Sequence, residues 1–444
     1  MFYVTGRIKK IAENSGWVIG QNIYFMLIGV FVAAVVARYF GPTLFGQLSY
    51  VVAIVSLFTA LAALGMDTLV VKALVDKQTD EGTILFTSLI LRVTVGLVLT
   101  AFALITIAIL SQGDKALLTI GLICSALVTL RALDIFEFWA HAKMALKMVS
   151  IIKMATFTAI SALKLAIVFW EGSLIAYAFI FLIDALITGS AIAIAYSLVR
   201  VDKTKWKFSL VFARDLLSKC WPVAISALMV MVYMRIDQVM LGAMLNDKSE
   251  VGIYAAAVKL AEMWHFVPMA LIGSFRPIIM QYKADQNKVQ YIAAIRGMYS
   301  VVFWLSGIFG ILISFLSGFI VDVVYGQEFS RAATVLAISV WAGSFAVLSA
   351  ARFVWLVTEN MQRYALVYTL SGVIINVVLN YILIPTYGAI GAAYATICAQ
   401  AISILVLSLF KETRQHNLFL LQSLSPVYMI EVIKNRIVRT KKDQ

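Results

Sequence analysis

Twelve apolar runs, each close to the length of a bilayer crossing, punctuate this chain from end to end. They lie at about residues 17–37, 46–71, 84–110, 116–138, 148–170, 173–199, 220–245, 250–277, 297–325, 332–357, 364–384 and 388–410. A spanning helix needs about 20 mainly apolar residues. Membrane barrels would show segments of about 10 residues alternating apolar and polar, and no such alternation occurs. The composition agrees: 62% of the 444 residues are hydrophobic and 13% are charged, against about 25% charged in soluble domains. The sequence therefore predicts an all-α integral membrane protein with about 12 transmembrane helices. The first run follows Arg7, Lys9 and Lys10. It is longer than the apolar core of about 7–15 residues in a cleavable signal, so it reads as an uncleaved span.

Lys and Arg give the spans a direction, because they gather in cytoplasmic loops. One set of loops carries Lys72 and Lys77, Lys143 and Lys147, the stretch Arg200 to Lys219, Lys283 and Lys288, Arg363, and a basic tail from Lys411 onward. The opposite set carries only Arg38, Lys115, Lys248 and Arg331. This alternation predicts that both termini are cytoplasmic. The formal net charge of +13 is thus accounted for by topology and gives no reason to expect a nucleic-acid partner.

The basic stretch at 200–219 splits the runs six and six. The expected domains are a lobe at 1–199, the linker at 200–219, a second lobe at 220–410 and a tail at 411–444. Gly46-Gln47-Leu48-Ser49-Tyr50 and Gly252-Ile253-Tyr254-Ala255-Ala256 open the second and eighth spans. This weak internal match fits parallel repeats about an axis along the membrane normal. Residues 418–438 mix apolar and basic side chains around Pro426. They suit either an interfacial amphipathic helix or an unstructured tail.

Ionisable residues inside spans carry most of the functional information, because a lone charge at the bilayer centre costs about 2.5–3.5 kcal/mol on insertion scales. Arg92, Arg131, Lys153, Arg276 and Arg352 lie toward the cytoplasmic ends, where a long basic side chain either reaches the headgroups or lines a wet cavity. Lys164, Arg235 and Lys259 sit deeper. The acids are Asp134, Asp184, Asp237, Glu262 and Asp322, with Glu137 and His265 nearby. Arg131 with Asp134, and Lys259 with Glu262, are three apart and share a helix face. The excess of cations suits an anionic cargo such as a diphosphate. Among the acids, Asp237, Glu262, Asp184 and Asp134 are candidates to orient these cations or to couple an ion.

No enzyme constellation stands out. His141, His265 and His416 have no ligand spacing, and Cys124, Cys220 and Cys398 are far apart, so neither a metal site nor any other cofactor is expected. There is no phosphate-cradling Gly-x-x-x-x-Gly-Lys loop. The longest loop, the basic linker, is too short to house a catalytic domain.

Several segments resemble a known family in order. Ala37-Arg38-Tyr39-Phe40-Gly41-Pro42-Thr43-Leu44-Phe45-Gly46 is similar to the hinge after the first span of Wzx-type polysaccharide flippases, within the multidrug/oligosaccharidyl-lipid/polysaccharide exporter superfamily. Trp221-Pro222 followed by Arg235-Ile236-Asp237-Gln238 resembles its seventh span, and Val251 to Leu260 its eighth. Tyr325-Gly326-Gln327-Glu328-Phe329 resembles its outer hinge before the tenth span. Asn376, Asn380, Pro385 and Gly388-Ala389-Ile390-Gly391 are similar to its last hinge. The residues Arg38, Gly41, Pro42, Gly46, Gly252, Pro385, Gly388 and Gly391 are expected to shape hinges and allow close helix packing.

The resemblance implies two six-helix lobes around a cavity. It also implies flipping of an undecaprenyl-diphosphate-linked glycan, an O-antigen unit or similar, to the periplasmic leaflet of the inner membrane. Polymerase and chain-length regulator proteins of the same pathway would be partners beside the lipid bilayer. On this reading Arg235 and Lys259, with neighbouring basic residues, hold the diphosphate. A cation-coupled drug exporter of the same superfamily, a peptidoglycan-precursor flippase and a membrane scaffold or polymerase are the competing readings.

Overall fold

The structure, a computed structural model, describes residues 2–77, 79–200 and 206–425, with side chains from residue 13 onward except those of residues 15 and 415. The described residues are helical, with no strand. In chain order the helices are α1 (Phe2–Ala62), α2 (Met66–Val75), α3 (Glu81–Leu110), α4 (Lys115–Leu130), α5 (Ile135–Ala142), α6 (Leu146–Phe169) and α7 (Leu174–Val199). They continue with α8 (Leu210–Met244), α9 (Ser249–Met263), α10 (Phe266–Ala284), α11 (Lys288–Tyr325), α12 (Ala332–Thr358), α13 (Arg363–Val406) and α14 (Lys411–Ser423). Short 3₁₀ turns occupy Arg131–Asp134, Gln327–Phe329 and Leu407–Leu409.

Among the described residues, ten helical segments are long and apolar enough to cross a membrane. Two of them are far longer than one crossing needs: Gly16–Val75 with 60 residues and Arg363–Leu409 with 47. Each contains a glycine in a conformation that ends a helix. Gly41 has φ 68° and ψ 174°, and Gly388 has φ 56° and ψ −132°. A side chain with Cβ rarely adopts a positive φ, which is why glycine stands at both breaks. Pro42 and Pro385, which disrupt the i→i−4 ladder, stand close to them.

The helix ends depart from expectation where polar side chains cap them. α8 begins at Leu210, ten residues before the expected seventh span, and Ser209 accepts from the Phe212 amide at its start. α11 begins at Lys288, nine residues before the expected ninth span, with Asn287 accepting from the Gln290 amide. The expected eighth span is two helices, α9 and α10, interrupted at Trp264–His265.

Two compact units divide the chain, Met1–Gly252 and Ile253–Gln444. The first extends beyond residue 199, because α8 packs on α1 and α3. Its core gathers Met66, Ile84, Leu85, Phe136, Trp139 and Tyr196 from α2, α3, α5 and α7. The second packs Tyr299, Val302, Leu348, Trp355, Leu407 and Leu420 from α11, α12, α14 and the turn before α14. Large apolar side chains such as Phe102, Ile109, Phe315 and Phe319 remain exposed. That is the surface a lipid solvent accepts and water does not.

α14 is stapled to the second unit by buried polar groups rather than by apolar packing alone. The Tyr299 hydroxyl and His416 Nε2 lie 2.6 Å apart, and the Trp355 ring stacks on the imidazole at 3.6 Å. Asn417 Nδ2 donates to the Ile404 carbonyl at 2.9 Å and to Ser408 Oγ at 2.7 Å. Burial, reinforced by the charge of Arg352, pushes the His416 imidazole down to about 3. A base whose folded value lies below its ordinary 6.5 stabilises the fold above pH 6.5 and loses that contribution as pH falls toward 3. A tenfold change in proton affinity corresponds to about 1.4 kcal/mol. Thermal unfolding between about pH 6.5 and pH 4 is expected to show this loss, and His416→Phe is expected to flatten it. An unchanged slope in that variant would place the acid sensitivity elsewhere. The tail residues 426–438, expected to continue an amphipathic segment, lie outside the described residues.

Candidate functional site

The first unit brings four of the expected site residues into one intramembrane cluster. Its centre is the 3₁₀ turn Arg131–Asp134 between α4 and α5. In a 3₁₀ turn residues three apart eclipse one another. Arg131 Nη1 and Asp134 Oδ2 are accordingly 3.9 Å apart. Three residues further, Glu137 receives both hydrogen bonds of Lys153 from α6, at 2.6 and 2.7 Å. His141, one turn on, stands 3.8 Å from the same carboxylate.

Arg92 enters from α3. It is 4% exposed, and its guanidinium lies 5.5 Å over the Phe138 ring. Its charge is felt by Asp134, and it in turn feels Arg131, Asp67 and Glu137. Nε and Nη1 of Arg92 have no hydrogen-bond partner among the described residues. Buried polar groups are nearly always bonded, so two open donors inside a membrane helix are the sharpest feature of this cluster.

Small residues set the positions. A Cβ on Gly96, one turn beyond Arg92, would stand 3.0 Å from Thr129 Cα, which brings α3 against α4. The Thr100 and Thr129 hydroxyls join the same helices at 2.9 Å. A Cβ on Gly189 would stand 2.6 Å from Leu133 Cβ, so α7 presses directly on the 3₁₀ turn. The cluster sets three cations, Arg92, Arg131 and Lys153, beside Asp134 and Glu137, with Asp67 also acting on Arg92. Such an array can receive an anionic group and still keep its own cations paired when that group leaves.

The remaining expected residues lie apart from it. Lys164 sits 5.3 Å over the Phe181 ring. The Thr188 hydroxyl lies 3.2 Å from the Asp184 carboxylate and 3.0 Å from the Thr156 hydroxyl, tying α7 to α6. Arg235 is half-buried on α8, and Asp237 two residues on is fully buried. In the second unit Lys259 is exposed on α9, where Glu262 is half-buried, and Arg276 is exposed on α10.

Arg352, expected toward a cytoplasmic end, sits inside the second unit. It is fully buried, with Nη1 donating to the Ile404 carbonyl at 2.7 Å and to Asn417 Oδ1 at 3.2 Å. Its guanidinium lies 4.8 Å over Tyr368. The cause is α14, whose Asn417 covers it. In this conformation Arg352 joins α12, α13 and α14 and offers no surface to a cargo.

The hinge residues make the tightest contact in the first unit. A Cβ on Gly46 would collide with the Lys248 carbonyl, and a Cβ on Gly252 with the Pro42 carbonyl. Each glycine thus meets the residue four places before the other. A Cβ on Gly242 would strike the Tyr50 ring. Lys248 locks this joint by donating to the Gly242 carbonyl at 2.5 Å and the Leu245 carbonyl at 2.9 Å, the open acceptors at the end of α8. Arg38, beside the Gly41 break, is exposed. Beyond the second break, a Cβ on Gly391 would collide with the Leu383 carbonyl.

Sequence spacing places Glu137 only near the cluster. Its partner Lys153 is sixteen residues away on another helix, and no local pattern signals such a pair. His416 carries no signal in the sequence beyond its lack of ligand spacing.

Ten helical segments of membrane-crossing length among the described residues define an all-α integral membrane protein, and known proteins share this fold. The inward-facing form of a multidrug resistance MATE family transporter of the MOP superfamily matches with a TM-score of 0.62 at 13% identity, over 91% of this chain and 96% of that one. The lipid II flippase MurJ in an inward closed conformation matches with a TM-score of 0.71 at 16% identity, over 95% of this chain and 93% of that one. At these identities the likeness concerns the fold. Residues 11–283 match the family model described as polysaccharide biosynthesis protein, and the chain belongs to that family. Over 226 residues it is 27% identical to the probable low-salt glycan biosynthesis flippase Agl15 of Haloferax volcanii. That alignment covers 50% of this chain and 47% of the relative, so the chain spans about half the length of the curated relative it matches.

Proposed function

We propose that this protein is a flippase that carries an undecaprenyl-diphosphate-linked oligosaccharide, an O-antigen unit or similar, across the inner membrane from the cytoplasmic to the periplasmic leaflet. The reading adds twelve crossings, formed by dividing the two overlong segments at Gly41 and Gly388, with both termini cytoplasmic. It treats 1–199 and 220–410 as the lobes of an alternating-access transporter. Support comes from the family, from the likeness to a glycan biosynthesis flippase, and from the MurJ-like fold. The observation that carries it furthest is the intramembrane cluster, where buried Arg92 holds two donors unbonded among the described residues.

Arg92, Arg131 and Lys153 take the diphosphate in this scheme, while Asp134 and Glu137 hold the cations between cargoes. Complementation of flippase-deficient bacteria that make defined lipid-linked glycans tests it. Rescue with one glycan and not with others is expected. Arg235→Ala and Lys259→Ala, at normal protein level, are expected to reduce rescue. Drug resistance conferred without any rescue would instead support a cation-coupled exporter.

A further inference from the structure

The second unit contains a cavity of about 560 Å³ where α10 ends, α11 begins and α12 ends, closed on one side by α14. This volume lies within the range of small-molecule sites, about 300–1,000 Å³. Its floor is apolar and aromatic, formed by Ile292, Ile295, Trp355, Met361 and Phe419. Its polar lining includes Lys283, Lys288 and Arg296 with two acids, Glu359 and Glu412.

The acids are not equivalent. Glu359 accepts from Lys283 at 2.7 and 2.8 Å and from the Tyr291 hydroxyl at 2.6 Å. Burial alone would raise its carboxyl, but these bonds hold it below the usual range. It is an anion already matched by a cation. Glu412 lies exposed in the first turn of α14, between Lys411 and the exposed Arg414. Lys288 is exposed at the first position of α11, and Arg296, two turns on, donates to Ser423 Oγ at 3.4 Å. The positive end of the α11 dipole therefore faces the same opening as Lys288 and Gln286. A fully polar solute would leave the floor unmatched, and a fully apolar one would strip water from the cations. An amphiphile with an anionic head satisfies both.

Its position names the source. The opening lies at the ends of membrane-crossing segments, where headgroups stand, and α14 beside it exposes Leu418 and Leu421. We propose that this cavity binds an anionic phospholipid, its phosphate on Lys288 and Arg296 and an acyl chain over the aromatic floor. Bound lipid bridges α11, α12 and α14 and stabilises the docking of α14 by mass action.

The test uses the full chain in a neutral detergent, titrated with phosphatidylglycerol, phosphatidylcholine or undecaprenyl diphosphate while thermal stability is read. No transport is involved, so failure here is distinct from failure of the flippase reading. Phosphatidylglycerol is expected to raise the melting temperature saturably, and phosphatidylcholine is not. The double variant Lys288→Gln/Arg296→Gln is expected to weaken the phosphatidylglycerol response by about tenfold or more, as loss of a charge-assisted bond of about 1.5–3 kcal/mol requires. Glu412→Gln, which removes the repelling charge without touching the floor, is expected to strengthen it. Equal responses to the two phospholipids, or a phosphatidylglycerol response unchanged in both variants, overturns the proposal. So does a response to undecaprenyl diphosphate that depends on Lys288 while phosphatidylglycerol gives none.

Discussion

Arg92→Met will leave the protein folded and largely stop it from transporting. The reasoning rests on the two guanidinium nitrogens that lie buried with no hydrogen-bond partner. An unsatisfied buried donor costs about 1–3 kcal/mol, and an apolar side chain of similar length removes that cost. The melting temperature of Arg92→Met is therefore expected to equal or exceed that of the parent. Transport goes the other way. A charge-assisted hydrogen bond contributes about 1.5–3 kcal/mol, so loss of the cation is expected to lower translocation by roughly tenfold to a hundredfold. The same exchange at Arg352 gives the contrast: its Nε and Nη2 are also unbonded, but Nη1 bonds the Ile404 carbonyl and Asn417, so stability falls relative to Arg92→Met. Thermal unfolding and flipping assays on both variants decide the matter. Full translocation by a stable Arg92→Met protein would remove Arg92 from the site.

Gly46→Ala is expected to cost more stability than its single added carbon suggests. That carbon would occupy the place of the Lys248 carbonyl. A flexible side chain could turn aside, but backbone held by its own helix cannot move alone. Overpacking in a well-packed core costs about 1–3 kcal/mol and occasionally more, and this contact belongs at the upper end. Gly252→Ala meets the Pro42 carbonyl and should match it. Gly307 on α11 is the control, since its Cβ would meet nothing within 4 Å. Gly307→Ala should be neutral or gain about 0.5–1 kcal/mol from reduced backbone entropy. Equal melting temperatures for Gly46→Ala and Gly307→Ala would show that the joint is looser than these contacts imply.

Much of this architecture can be read from the chain because lipid enforces simple rules. The helical class and the position of most apolar segments follow from hydrophobic run length, and the breaks near 41 and 388 follow from Gly and Pro. Arg131 with Asp134 is legible because three-residue spacing alone brings them together. What spacing cannot convey is the partner on another helix. Lys153 meets Glu137 only once α6 lies against α5, and Arg92 joins them only once Gly96 brings α3 onto α4. The surroundings of Arg352 escape for the same reason: nothing near it in sequence announces that α14 will fold over it. Helix starts escape where a single Ser or Asn caps them, because hydropathy does not register one side-chain hydrogen bond.

The joint at Gly46 and Gly252 carries a consequence for how this sequence can change over generations. The contact is made by main-chain carbonyls, so the identities of the side chains at 42 and 248 do not themselves make the clash. The two glycines pin each other, since neither can gain a side chain unless the backbone beside the other moves.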